Sequence, residues 1–146
     1  MRQRLDAAFN RAKLLGSADF ELQADFARYL CILVSGYIET SVAEITMEYC
    51  RNRAQPNVSN YASRELSRLQ NLKAERLLQV VGAFSPEWRE EIENYIDGRR
   101  KDALNAVIDL RNKIAHGESV TLTYSRIREY DAAIQEIVDF LTDRFS

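Results

Sequence analysis

Along most of this chain apolar residues recur every three or four positions, the period of a helix that buries one face. Leu66, Leu69, Leu72, Leu77, Val80, Val81 and Phe84 share a face of a segment predicted to be helical from Ala62 to Phe84, with a break near Asn71. Ile127, Tyr130, Ile134, Ile137, Val138 and Leu141 do the same for a final amphipathic helix over 124–145. Between Tyr29 and Ile38 the pattern changes, because YLCILVSGYI is apolar nearly all round. A helix without a polar face is buried on most sides. The long helix that contains this run, and ends near Arg53, is therefore expected at the centre of a bundle.

Turn and cap residues divide the rest. A first helix is expected over Asp6–Leu15, ended by Gly16-Ser17, with Ser17 or Asp19 capping the central helix. Gln55-Pro56-Asn57 is expected to end that helix, and Ser59 or Asn60 to restart the chain. Ser85-Pro86-Glu87 combines a cap residue, a proline at the first helical position and an acid in the first turn, which together start a short helix running to about Ile96. Asp97-Gly98 breaks it. The next helix runs from Arg99 to Ala115 or His116 and is stopped by Gly117, and Glu118 to Thr123 reads as an extended connection. With only 5 glycines and 2 prolines in 146 residues, turns are few. The expected fold is all-α: one up-and-down helical bundle spanning residues 1–146. Tyr29, Tyr37, Tyr49, Tyr61, Tyr124 and Tyr130 follow apolar spacing and are expected mostly in the core rather than stacked on bases.

Charge and composition narrow the function. Lys and Arg number 20 against 22 Asp and Glu, a net charge of −2, which argues against a general nucleic-acid coat but leaves room for a local basic site. Arg99-Arg100-Lys101 opposes the dipole at a helix start, and reads as either a phosphate-contacting patch or a solvated face. Cys31 and Cys50 fall in one helix nearly 30 Å apart by helical rise, beyond reach of a disulfide, and are expected reduced and buried. The longest uncharged run falls short of the roughly 20 apolar residues that span a bilayer. The charged N-terminus lacks the apolar segment of a signal peptide. The expected address is the cytosol, with no membrane partner.

The single histidine, His116, is the most restrictive count. One His and two distant Cys build no structural zinc site within a chain. The acids Glu87, Glu90, Glu91 and Glu93 answer the dipole of a helix start better than they suit a metal, so no metal and no cofactor are expected. A triad of Ser119, His116 and Asp109 lacks the strained elbow that exposes a serine nucleophile. Imidazole chemistry must therefore use His116, alone or doubled in an oligomer.

On a helical projection of KDALNAVIDLRNKIAHG with Leu104 at zero, Val107, Ile108, Leu110, Ile114 and Ala115 form a core stripe, and Arg111 falls inside it at about 340°. An arginine is almost never fully buried without a partner. Arg111 is thus either paired in the monomer, with Glu39 or Glu44, or placed at an interface. Asn105, Asp109, Asn112 and His116 share a polar edge of the same helix. Arg111 and His116 lie about 140° apart, so one straight helix does not set them side by side, although an unwound last turn or a second chain could complete the site. The uncompensated carbonyls of the last turn favour a cation at His116, which suits a group that must hold and give a proton.

Arg111-Asn112-Lys113-Ile114-Ala115-His116-Gly117 resembles the signature of the HEPN superfamily: Arg, a polar residue, three further positions, then His near a helix end. Tyr37-Ile38-Glu39 in the long apolar helix, and the closing amphipathic helix, are similar to the RiboL-PSP-HEPN branch. The resemblance covers essentially the whole chain. It implies a metal-independent endoribonuclease working as a homodimer, with two motifs facing each other across the two-fold axis. Domains of this kind serve toxin–antitoxin, phage-defence and RNA-processing systems, so RNA and an antitoxin or other protein are implied partners. By the same resemblance Arg111 would neutralise the scissile phosphate, Asn112 would bond substrate or orient the site, and His116 would move the proton. Glu39 matches an acidic position near that site. The other class left open is a catalytically silent HEPN module that binds RNA or a partner protein.

Overall fold

The computed structural model describes residues 1–15 and 20–146. Among the described residues seven helices follow in order: α1 (Arg2–Leu14), α2 (Phe20–Arg53), α3 (Pro56–Leu66), α4 (Ala74–Phe84), α5 (Pro86–Ile96), α6 (Arg99–Ala115) and α7 (Tyr124–Arg144). No strand occurs among the described residues, so the all-α expectation holds. The cap expected from Ser17 or Asp19 lies outside the described residues.

Helix α1 begins at Arg2, four residues before the predicted start. Its first side chain is held from outside the helix: Arg2 Nε donates to the Tyr37 hydroxyl at 2.8 Å, and Nη2 to Asp139 Oδ1 at 2.8 Å. Pro56 does not delay the next helix but starts it, with Gln55 as N-cap. A proline has no amide to lose in a first turn. Ser59 is accordingly not a cap; it lies inside α3 and its Oγ donates to the Pro56 carbonyl at 3.2 Å. The break expected near Asn71 in the segment from Ala62 to Phe84 is a connection over 67–73 between α3 and α4, within which Asn71 has φ 52°. Asparagine is among the few side chains that tolerate this left-handed region. Leu69 and Leu72 are buried all the same, reaching the core from a loop. The Ser85 and Thr123 side chains cap α5 and α7, accepting from Trp88 N and Arg126 N.

The core lies where α2 meets α6 and α7. Leu30, Val34 and Ile38 of α2, Leu104, Val107 and Ile108 of α6, and Ile134, Ile137 and Leu141 of α7 are all buried. Helix α2 also packs against α1 and α3, which is the central place its apolar run called for. By length and composition alone α2 is long and apolar enough to cross a membrane; Leu30, Cys31, Val34, Tyr37, Ile38 and Val42 on it are buried within the bundle. Cys31 is buried, its Sγ donating to the Val107 carbonyl at 3.6 Å, and burial pushes its thiol up to about 11. Cys50 is free as expected but only half-buried.

The tyrosine expectation needs correction at two positions. Tyr37 is buried and Tyr49, Tyr124 and Tyr130 are partly so, but Tyr29 is 46% and Tyr61 68% exposed. Tyr29 borders a cavity beside α1 and Tyr61 lies on the outer face of α3, positions that a helical period cannot distinguish from covered ones. At the far end of α2, Tyr49, Phe84, Trp88 and Phe145 lock edge to face, with ring centroids 5.0–5.7 Å apart.

Candidate active site at the C-terminal end of α6

Helix α6 ends as its sequence requires. Gly117 has φ 74°, a conformation glycine adopts without steric cost. Its N–H donates to the Ile114 carbonyl at 3.1 Å, and Glu118 N–H donates to the Lys113 carbonyl at 2.9 Å. This pair of bonds satisfies carbonyls that a helix end otherwise leaves open. It also fixes His116 as the capping residue, exposed to solvent. Among the described residues its ring has no hydrogen-bond partner.

The stripe that carries Arg111 runs off the core. Leu104, Val107 and Ile108 are buried, yet Leu110 and Ile114 are half-buried, and Arg111 and Ala115 are exposed. The last turns of α6 thus present core-facing positions to solvent. Arg111 is not half of a buried ion pair. Among the described residues no carboxylate lies within 4.0 Å of its guanidinium, and its hydrogen bond runs from Nη1 to Asn112 Oδ1 at 3.3 Å. Glu44 is exposed on α2. Glu39 is nearer, half-buried on α2, and accepts from Ser35 Oγ at 3.3 Å. Burial pushes the Glu39 carboxyl above the ordinary carboxylate range, while the Ser35 hydroxyl and the Arg111 charge pull it partly back. The structure therefore brings Glu39 into the field of Arg111 without pairing them.

The polar edge of α6 holds the connection between α3 and α4. Asn105 Oδ1 accepts from Ala74 N–H at 2.9 Å, capping α4 where Lys73 supplies no side-chain cap. Asp109 accepts from Lys73 Nζ at 2.8 Å, and the Lys73 hydrogen bond and charge hold the Asp109 carboxyl below its ordinary value. Asn112 Nδ2 donates to Asn71 Oδ1 at 2.8 Å. Asn71, Lys73 and Ser35 were not anticipated as neighbours of the motif. The one signal in the sequence was an asparagine at a predicted break, since asparagine both tolerates left-handed backbone and carries an amide.

The Arg99-Arg100-Lys101 cluster stands at the other end of α6, about 18 Å before Arg111 by helical rise. Its two arginines are engaged. Arg99 Nη2 lies 2.6 Å and Arg100 Nε 2.9 Å from Glu136 Oε2. Arg100 also donates to the Tyr95 carbonyl at 3.2 Å and lies 4.1 Å over the Tyr95 ring. Lys101 is exposed. The structure does not bring this cluster to Arg111, Asn112 and His116 within one chain.

What remains at the end of α6 is a guanidinium without a carboxylate partner among the described residues, a side-chain amide and an imidazole, with the half-buried Glu39 carboxyl in the field of Arg111. Those groups can bind a phosphodiester, neutralise charge developing on it and move a proton. Among the described residues no group of three or more His, Cys, Asp or Glu side chains is arranged to hold a metal ion.

No curated protein and no solved structure matches the chain. The RiboL-PSP-HEPN family model matches residues 3–146, and the all-helical bundle is consistent with that match. The chain belongs to the RiboL-PSP-HEPN family.

Proposed function

We propose that the protein is a metal-independent endoribonuclease whose site is completed by a second copy of the chain. The HEPN family membership points to ribonuclease or RNA-binding work. The observation that carries the finer reading is the thinly covered end of the stripe, where Arg111 and Ala115 are exposed and Leu110 and Ile114 only half-buried, although earlier turns of the same stripe are buried. Ile32, 45% exposed, lies two turns before Glu39 on the same face of α2 and extends that surface. One chain leaves Arg111 and His116 on different sides of α6; two chains related by a two-fold axis bring together two arginines and two imidazoles.

The chemistry follows from the substrate. RNA carries its own nucleophile. The 2′-hydroxyl gives up its proton and its oxygen bonds to the adjacent phosphorus, the bond to the 5′-oxygen breaks, and that leaving oxygen takes a proton. Arg111 neutralises the charge gathering on the phosphoryl oxygens, Asn112 orients that arm, and the paired His116 side chains remove one proton and deliver the other. The upstream product is a 2′,3′-cyclic phosphate and the downstream product begins with a 5′-hydroxyl. We place this activity in the cytosol, in the setting of a toxin or phage-defence effector held in check by a protein partner.

The test is cleavage of RNA in excess EDTA, with sedimentation of the same sample. Activity that survives chelation, cyclic-phosphate ends and a species of twice 16.9 kDa are the expected results. A downstream 5′-phosphate would mean that water was the nucleophile and would overturn the mechanism. A monomer at micromolar concentration would overturn the composite site. RNA bound without cleavage would assign the chain to the silent, RNA-binding class.

A further inference from the structure

Asn71 has no part in the reaction as written above, yet its geometry ties it to the residues that do. It is the one non-glycine residue among those described with a positive φ, 52°. Leu69 and Leu72, both buried, flank it and pin the connection into the core. Two further contacts fasten the same connection to α6: Ala74 N–H to Asn105, and Lys73 to Asp109. The left-handed turn between these anchors delivers the Asn71 side chain to Asn112.

The direction of the bonds fixes their chemistry. A guanidinium only donates, so the Asn112 atom facing Arg111 must be its oxygen, at 3.3 Å. The Asn112 amide nitrogen then faces Asn71, which must present its own oxygen, at 2.8 Å. The chain of bonds Asn71–Asn112–Arg111 therefore has a single polarity. Without Asn71 the Asn112 amide is free to rotate, and the Arg111 guanidinium loses its one hydrogen-bond acceptor in the described structure.

We propose that Asn71 is a positioning residue of the site: acting through Asn112, it aims the Arg111 guanidinium at the scissile phosphate. This rests on the ribonuclease reading. Because the other two contacts and the buried leucines hold the connection, Asn71 can be changed without releasing it.

Asn71→Gly removes the amide and keeps the left-handed backbone, which glycine adopts freely. For RNA cleavage the expected result is a kcat lower by about 3–10-fold, the worth of one hydrogen bond, with KM little changed because the arm acts on charge that develops in the transition state. In an Asn112→Ala background the same substitution should have no further effect, since the arm it acts through is gone. A wild-type kcat in Asn71→Gly, a change confined to KM, or an equal loss of kcat in the Asn112→Ala background would each overturn the proposal. A wild-type protein that cleaves no RNA removes the ribonuclease reading on its own account. The positioning is then read from the 15N spectra of the Asn112 side-chain amide and the Arg111 Nε–H. Both signals should shift, and the amide protons exchange faster with water, in Asn71→Gly. Signals unmoved by Asn71→Gly would overturn the positioning without reference to activity.

Discussion

The two ends of α6 carry arginines in opposite circumstances. At the start, Arg99 and Arg100 converge on Glu136, and Arg100 also bonds the Tyr95 carbonyl and lies over its ring. At the end, Arg111 is exposed, touches Asn112 and has only the half-buried Glu39 carboxyl in its field. By charge count alone the basic run Arg99-Arg100-Lys101 is the denser cluster, open to reading as a phosphate-contacting patch or a solvated face. The structure points the other way, since a guanidinium already shared with a carboxylate has fewer donors to offer a ligand. An isolated arginine in a stripe of apolar residues is the more available one. Local charge density is thus a poor guide to where an anion binds; the number of unengaged donors is a better one.

The largest expected effect lies at the bare end. His116→Ala should lower RNA cleavage by about 10²–10⁴-fold, the usual worth of proton transfer from a placed side chain. Arg111→Ala should cost a comparable factor by removing charge stabilisation. Neither should unfold the bundle, so melting temperatures should stay within about 4 °C of wild type. A loss of about 3–5 kcal/mol in Arg111→Ala would be the mark of a buried ion pair, and would erase the contrast between the two ends.

The engaged end should respond in the opposite sense. Arg100→Ala removes a hydrogen-bonded ion pair, a bond to a carbonyl and a ring contact, and should cost about 1–2 kcal/mol of stability by denaturant titration. RNA cleavage per folded molecule should hardly change. If cleavage fell tenfold or more while stability held, the cluster at the start of α6 would be part of the RNA-binding surface after all.

The smallest effect sharpens the same theme at a carboxylate. Asp131 on α7 is buried; its Oδ2 accepts from Gln135 Nε2 at 3.1 Å, and its Oδ1 has no hydrogen-bond partner among the described residues. Burial, with the charge of Asp6 adding to it, pushes the carboxyl up from 3.8 to about 6, against the opposing pull of Gln135, Arg2 and Arg128. Folding therefore favours the neutral acid. The cost of holding the charge is absent below pH about 4, grows as the pH rises through about 6, and is fully present above that. Asp131→Asn should raise stability near pH 7.5 by about 1 kcal/mol after allowance for solvent screening, and leave it unchanged near pH 4. Denaturant midpoints at the two values check this; a stabilisation equal at both would mean that charge is not the cause.

Much of the architecture was legible because it depends on neighbours along the chain. Ser85-Pro86 and Thr123 start helices through bonds reaching only three residues ahead. Gly117 ends α6 through its own backbone freedom. The apolar run of α2 could only be buried. Errors arose where a distant contact decided the outcome. Arg2 belongs to a helix because Tyr37 and Asp139 hold it, and Leu69 and Leu72 enter the core from a connection rather than a helix. Within the candidate site, the order Arg-Asn-x3-His marked the segment. Asn71 and Ser35 stayed hidden because they are 41 and 4 residues from the side chains they meet, and the shorter of those spacings is common to any helix.

By itself the sequence determined the number and kind of most helices, the central place of α2, the glycine stop behind His116 and the motif that places the chain among RiboL-PSP-HEPN proteins. These follow from periodicity, capping and composition, which act over one or two turns. Only the tertiary structure decided which faces were covered. It showed that the stripe of α6 outruns the core and leaves Arg111 bare, that Arg99 and Arg100 are engaged by Glu136, and that a left-handed Asn71 reaches across to Asn112. Burial and free donors are properties of the assembled surfaces, and no spacing along a single helix encodes what another helix will cover.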